Sequence, residues 1–336
     1  MKAIAFTEHG LPIHDPRSLQ DVNIAAPTPG PRDLLVEVEA VAVNPVDTKV
    51  RSGSFAKEPK VLGWDAAGTV RDVGAEVRLF KPGDKVYYAG SLTRAGSYSE
   101  LQVVDERIVG HRPQSLSAAH AAALPLTSIT AWELLFDRLG VREDGGDGDV
   151  LLVVGAAGGV GSMLVQLARE LTGMTVIGTA SRPETVDWVK RMGADHVIDH
   201  RQPMLAQLQA LGVGEVSHVA SLTHTEEHLP QLIEVLRPQG RLGVIDDPRS
   251  LDVMPLKLKS LSLHWELMFT RSLFETPDMI HQHHLLNRIA KLIDQGILQT
   301  TLGEHFGAIN AANMRRAHAL VESNKARGKI VLEGFA

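Results

Sequence analysis

The residues with the clearest chemical potential form a glycine turn, Gly155-Ala156-Ala157-Gly158-Gly159-Val160-Gly161. It follows an apolar run, Leu151-Leu152-Val153-Val154, and opens a stretch with Leu164, Val165, Leu167 and Ala168 at helical spacing. Small side chains let a backbone approach a pyrophosphate, and a helix start offers free N–H groups and the positive end of its dipole. A glycine turn alone can be a tight strand-to-helix connection that binds nothing. A strand before it, a helix after it and repeated strand–helix alternation beyond it favour a dinucleotide. Ala157, Gly158, Gly159 and Val160 are its candidate contacts.

About 20 residues past such a turn, an NAD site usually presents an Asp or Glu to the ribose hydroxyls. Here the second strand, 175–180, runs into Ser181-Arg182. A carboxylate would repel a 2′-phosphate, whereas a hydroxyl and a guanidinium bind one. The expected cofactor is NADPH, against the plainer reading of Arg182 as a surface arginine.

Metal and thiol chemistry find little support. The chain has no cysteine, which excludes disulfides, thiolate zinc sites, iron–sulfur clusters and a thiol nucleophile. Among its 15 histidines, His224 and His228 lie four apart, and His281, His283 and His284 cluster. Neither set has a clear third ligand in a predicted pocket, so surface histidines are the preferred reading and no metal is expected. Ser128 with His111 or His120 has no nucleophile elbow, so hydrolase chemistry is not supported.

The elements that must position these groups follow from patterning. The chain has 336 residues, 44% hydrophobic and 22% charged, enough for two domains. A net charge of -6 offers no basic surface for nucleic acid. No apolar run reaches membrane-spanning length, and the N-terminus reads as a strand, so a cytoplasmic protein is expected. Short strand patterns at 34–41, 68–70, 83–87 and 98–104 predict a compact, mostly antiparallel β unit. Helices follow over 117–139, interrupted near Pro125. Strands at 150–154, 175–179, 196–198, 216–220 and 241–245 then alternate with helices from Gly159 and over 183–192 and 229–236. That rhythm predicts an α/β fold with a doubly wound parallel sheet. A helix over 310–323 and a strand over 329–332 close the chain and are expected to rejoin the first domain.

Taken with 155–161, the segments Asn44-Pro45-Val46-Asp47, Gly63-Trp64-Asp65-Ala66-Ala67-Gly68 and Phe80-Lys81-Pro82-Gly83-Asp84-Lys85-Val86 resemble the medium-chain dehydrogenase/reductase superfamily. Within it they resemble the quinone oxidoreductase-like branch and bacterial proteins labelled zinc-type alcohol dehydrogenase-like. The resemblance spans essentially the whole chain. It implies a GroES-like catalytic domain over 1–124 and 270–336, a Rossmann domain over 125–269, a site in the cleft, and a homodimer. Trp64 and Asp65 stand where zinc alcohol dehydrogenases carry a ligand His and its neighbouring Glu, and indole cannot bind zinc.

By the same resemblance, Ser181 and Arg182 face the 2′-phosphate and His200 lies near the adenosine. Ser221, Thr223, Ile245 and Asp246, at ends of later strands, border the nicotinamide half, and Lys329 approaches the cofactor or forms a salt bridge. Asn44 is a candidate for the carboxamide or the substrate oxygen. Asp47 fixes its loop or acts as an acid. Lys49 stands where relatives often carry Tyr. Trp64 is expected as an apolar wall for a flat acceptor. His264 is the nearby group able to donate a proton near neutral pH, unless its strand is an interface. The expected activity is NADPH-dependent, zinc-independent hydride transfer to a small-molecule acceptor, a quinone or an activated alkene or carbonyl. The alternatives are a zinc-independent alcohol/aldehyde dehydrogenase and a non-catalytic NADPH sensor.

Overall fold

The structure is a computed structural model that describes residues 1–53 and 61–336. It divides into two compact units, Met1–Ile129 with Phe269–Ala336, and Thr130–Met268.

The unit Thr130–Met268 is built on six strands, all parallel. Their spatial order is His196–Ile198, Thr175–Thr179, Val150–Val154, Val216–Ser221, Leu236–Val244, Ser262–Trp265. By chain order these are the third, second, first, fourth, fifth and sixth strands, the doubly wound arrangement of dinucleotide-binding folds. Strand Val150–Val154 is apolar throughout because helices cover both faces of such a sheet, leaving Leu151, Leu152, Val153 and Val154 with no more than 1% exposure. Helix Gly159–Leu171 buries Met163, Leu164, Leu167, Ala168 and Leu171, spaced three and four apart so that they share one stripe. At the far edge, strand Ser262–Trp265 leaves Trp265 exposed.

In the other unit the 11-residue strand Asp33–Val43 is the hub of a seven-stranded sheet. One edge pairs with Leu101–Asp105 over its first half and Lys329–Glu333 over its last, both antiparallel; the other edge carries Ala66–Val73. The register places Ile330 beside Val43 and Ala66 beside Val41. Residues 44, 65 and 329, each one step beyond these pairs, therefore emerge at the same end of the hub strand.

The predicted elements are present, with two differences. Strand Leu236–Val244 starts earlier than the expected 241, because its pairing slips between Val216 and His218 and the extra residues bulge out. The predicted helical stretch 117–139 ends in a π-helical segment, Glu133–Arg138, which sequence periodicity does not announce. Among the described residues no helix is long and apolar enough to cross a membrane.

The glycine turn supplies a stability test. A Cβ on Gly161 would lie 2.5 Å from the Gly155 carbonyl oxygen and 2.6 Å from Ala156 Cα, both backbone atoms that cannot swing aside. On Gly158 the nearest atom would be 3.5 Å away. Gly161→Val is expected to lose about 1–3 kcal/mol or more, whereas Gly158→Ala stays within about 0.5 kcal/mol; urea denaturation of both variants reads the difference.

Candidate active site

The first strand turns at Gly155, whose φ of +82° suits a residue without Cβ. Its N–H donates to Thr179 Oγ1 at 3.1 Å, and its missing Cβ leaves room for Thr223, whose Cγ2 would otherwise be 3.0 Å away. No side chain caps the N-terminus of helix Gly159–Leu171, which leaves first-turn N–H groups after Gly158 without an intrahelical partner. Gly155 makes the turn, Gly158 leaves the backbone open and Gly161 lets helix and strand touch, the division of roles a pyrophosphate cradle requires. The turn lies where strand order reverses, between the first and fourth strands. Thr223 is thus brought to the cradle from the fourth strand's loop.

At the end of the second strand, Arg182 lies 3.4 Å from Glu184 through its Nε. The Ser181 carbonyl accepts from Arg201 Nη2 at 2.7 Å. Arg201 is itself held by Asp199 at 2.8 Å, and that contact keeps the Asp199 carboxyl down at about 2. Arg201 was not singled out from sequence, although it directly follows His200. The His200 ring stands 5.9 Å from His228. Burial chiefly holds both imidazoles below their ordinary pKa, leaving neutral rings at pH 7.

Ser221 and Asp246 are joined through Thr225. Ser221 Oγ lies 2.7 Å from Thr225 Oγ1, and Asp246 accepts from the Thr225 N–H at 2.9 Å and from its hydroxyl. Ser221 is fully buried, so its hydroxyl serves this network, and Ile245 is fixed by its N–H bond to the Ser221 carbonyl at 3.3 Å.

In the unit Met1–Ile129 with Phe269–Ala336, a buried polar cluster gathers at the end of the hub strand. Asp65 Oδ2 accepts from Lys329 Nζ and Asn44 Nδ2, each at 2.8 Å, and Asp65 Oδ1 accepts from the Leu126 N–H at 2.7 Å. Lys329 also donates to Asn44 Oδ1 and, at 3.1 Å, to the Val43 carbonyl. Asp47 Oδ2 accepts from the Asn44 N–H at 2.6 Å, which locks the loop to helix Pro45–Arg51. Burial pushes the Asp47 carboxyl up to about 7. Of the two roles open to Lys329 in the sequence, these partners support the salt bridge, and those of Asp47 support loop fixing.

The expectation for Trp64 is corrected. Trp64 is 1% exposed, donates to the Ser91 carbonyl at 3.1 Å and meets Phe269 edge-on at 6.3 Å; it is a packing residue with no open face to serve as a wall. His264 lies 2.9 Å from Ser262 Oγ on the edge strand, and burial followed by Arg241 and Arg138 holds its pKa below the ordinary value. Just beyond it, burial and Glu133 raise the Glu266 carboxyl, with Arg138 Nε 2.8 Å away, a buried group the sequence did not reveal.

Two family models match the chain, an alcohol dehydrogenase GroES-like domain over residues 30–114 and a zinc-binding dehydrogenase domain over 192–332. A zinc-type alcohol dehydrogenase-like protein of Staphylococcus aureus (strain MSSA476) is 40% identical over 309 residues, 91% of this chain and 92% of its own. The chain is a medium-chain dehydrogenase/reductase. A crystal structure from Rhizobium etli CFN 42, labelled a zinc-dependent alcohol dehydrogenase, superposes with a TM-score of 0.96 at 53% identity, covering 100% of this chain and 98% of that one. Escherichia coli quinone oxidoreductase complexed with NADPH superposes at 0.84 with 26% identity, covering 99% and 100%.

This medium-chain dehydrogenase/reductase is an oxidoreductase whose neighbours include quinone oxidoreductases. The zinc in its relatives' names does not fit the residues present. Trp64 has no donor lone pair to offer, Asp65 is committed to Lys329, Asn44 and Leu126, and cysteine is absent. Among the described residues no group of three or more His, Asp or Glu side chains is placed to hold a metal ion.

Removing one member of the Asp65–Lys329 pair should show its cost. Lys329→Met leaves a buried carboxylate unpaired and is expected to lose about 3–5 kcal/mol. Adding Asp65→Asn removes that charge, so the double variant should recover part of the loss in a denaturant double-mutant cycle.

Proposed function

We propose that this chain is an NADPH-dependent reductase that passes hydride, without a metal, to a quinone or an activated alkene or carbonyl. The observation that supports the reading is the Asn44–Asp65–Lys329 cluster, whose groups are already bonded to one another, in the region where the family resemblance puts a zinc donor set. A reductase without a Lewis acid favours acceptors that are electron-poor to begin with. The nicotinamide, when bound, supplies the hydride. The backbone at Ala157, Gly158, Gly159 and Val160 holds the pyrophosphate, and Thr223 packs beside the turn. Ser181 and Arg182, steadied by Arg201, favour the 2′-phosphate over a bare ribose. Asn44 is held rigid because Asp47 fixes its N–H, Lys329 its side-chain oxygen and Asp65 its side-chain nitrogen.

The test follows NADPH absorbance with purified protein against quinones, enones and aldehydes, with NADH in parallel. Turnover of at least one of the electron-poor acceptors, faster with NADPH, is expected. Tight NADPH binding with no turnover of any of them would overturn the reading. Arg182→Ala should raise the KM for NADPH about 10-fold or more, the worth of a charge-assisted hydrogen bond, and leave the KM for NADH nearly unchanged.

A further inference from the structure

The loops that carry the proposed cofactor contacts follow the carboxyl ends of the parallel strands. At the amino ends of three of the same strands, Val150–Val154, Val216–Ser221 and Leu236–Val244, lies a separate cavity of about 280 Å³. Its chemistry comes from Arg142, Arg237, Arg241, His218, Ser217 and Asp149. Three arginines and one carboxylate thus line it, in a chain whose net charge is -6.

Two of the arginines are anchored. Arg237 Nη2 donates to Asp149 Oδ1 at 2.7 Å, and Arg241 lies against Gly140 and donates to the Leu139 carbonyl. Arg142 is exposed, and its guanidinium has no hydrogen bond or ion pair among the described residues. Gln239, also on the wall, adopts a φ of +64°, a left-handed conformation that a residue with a long side chain rarely takes. Such strain collects at sites where the backbone is shaped for a task.

The histidine is oriented by its neighbour. Ser217 Oγ donates its proton to the Val150 carbonyl at 2.9 Å, so at 2.8 Å from His218 Nδ1 it accepts from the ring. The neutral ring therefore carries its proton on Nδ1 and leaves Nε2 bare, and Nε2 has no partner among the described residues.

We propose that this cavity is a binding site for a small oxyanion of the phosphate class, held by Arg142, Arg241 and the protonated Nε2 of His218. The guanidinium fork matches phosphate oxygens bidentately. His218 is buried and nearly dry, and the groups facing it are Asp149 before the first strand, Arg237 and Arg241 on the fifth, and His264 on the sixth. Burial first, then the two arginines and His264 against the opposing Asp149, holds the imidazole down at about 4, so it is neutral when the cavity is free. An oxyanion reverses that balance. Binding takes up a proton, and affinity rises as pH falls below the His218 pKa of the bound state toward the free-state value of about 4, by up to tenfold per pH unit.

The test is calorimetric titration of the NADPH-saturated protein, in which the proposed cofactor site is already filled. The probes are inorganic phosphate and glycerol 3-phosphate, with sodium chloride at matched ionic strength as reference. One site is expected, about 10-fold weaker in Arg142→Ala, a variant whose thermal midpoint without phosphate should match the parent. Affinity should rise from pH 8 to pH 6, and His218→Gln should flatten that rise. Tighter binding of glycerol 3-phosphate would make a monoester the ligand, whereas equal or weaker binding would make it free phosphate; either upholds an oxyanion site. No binding at millimolar phosphate, binding abolished by NADPH, or binding unchanged in both variants would overturn the proposal.

Discussion

The ion pair between Asp65 and Lys329 is the constraint on which the rest of the proposed catalytic half depends. The two residues are 264 positions apart, and both are almost fully buried. Taking two charges out of water costs several kcal/mol per ion, and mutual attraction offsets that only when the remaining lone pairs and protons are also satisfied. Here they are: Asp65 accepts from Asn44 and Leu126 as well, and Lys329 reaches the Asn44 side chain and the Val43 carbonyl. The last strand, the 44–47 loop and the start of helix Pro125–Trp132 are thereby fixed by one carboxylate. The same arrangement removes Asp65 and Asn44 from any role as open metal donors.

Steric constraint plays the corresponding part in the other unit. Gly155 is required by its φ of +82°, Gly161 by a backbone approach that a side chain would block, and Gly178 sits where a Cβ would strike Val189 and Ala156. Gly158 has no such internal demand, which points to an external one. Helix Gly159–Leu171 begins without a side-chain cap, the kind of helix start that suits an anion.

Much of this was legible in sequence because it is local. The apolar run at 151–154, the glycine turn and the strand–helix rhythm each declare themselves within about a dozen residues, and the doubly wound order follows from them. What was hidden is non-local. The partnership of Lys329 with Asp65 depends on strand Lys329–Glu333 pairing beside the hub strand. Arg201 acquires meaning only when its guanidinium folds back to the Ser181 carbonyl. Trp64 was expected as an open wall because aromatic residues near a site often are, but its indole packs inward on Phe269, an edge contact no spacing rule predicts. His264 was singled out by residue type, and its burial, followed by Arg241 and Arg138, is what lowers its pKa.

Whether hydride transfer here needs zinc decides between the proposed metal-free mechanism and a zinc-dependent one. The direct measurement is metal content by mass spectrometry on purified protein, paired with turnover of an electron-poor acceptor before and after prolonged chelation. Far less than one equivalent of zinc, with turnover unchanged by chelator, is the predicted result. One tightly held zinc per chain, with activity lost on its removal and restored on its return, would contradict it.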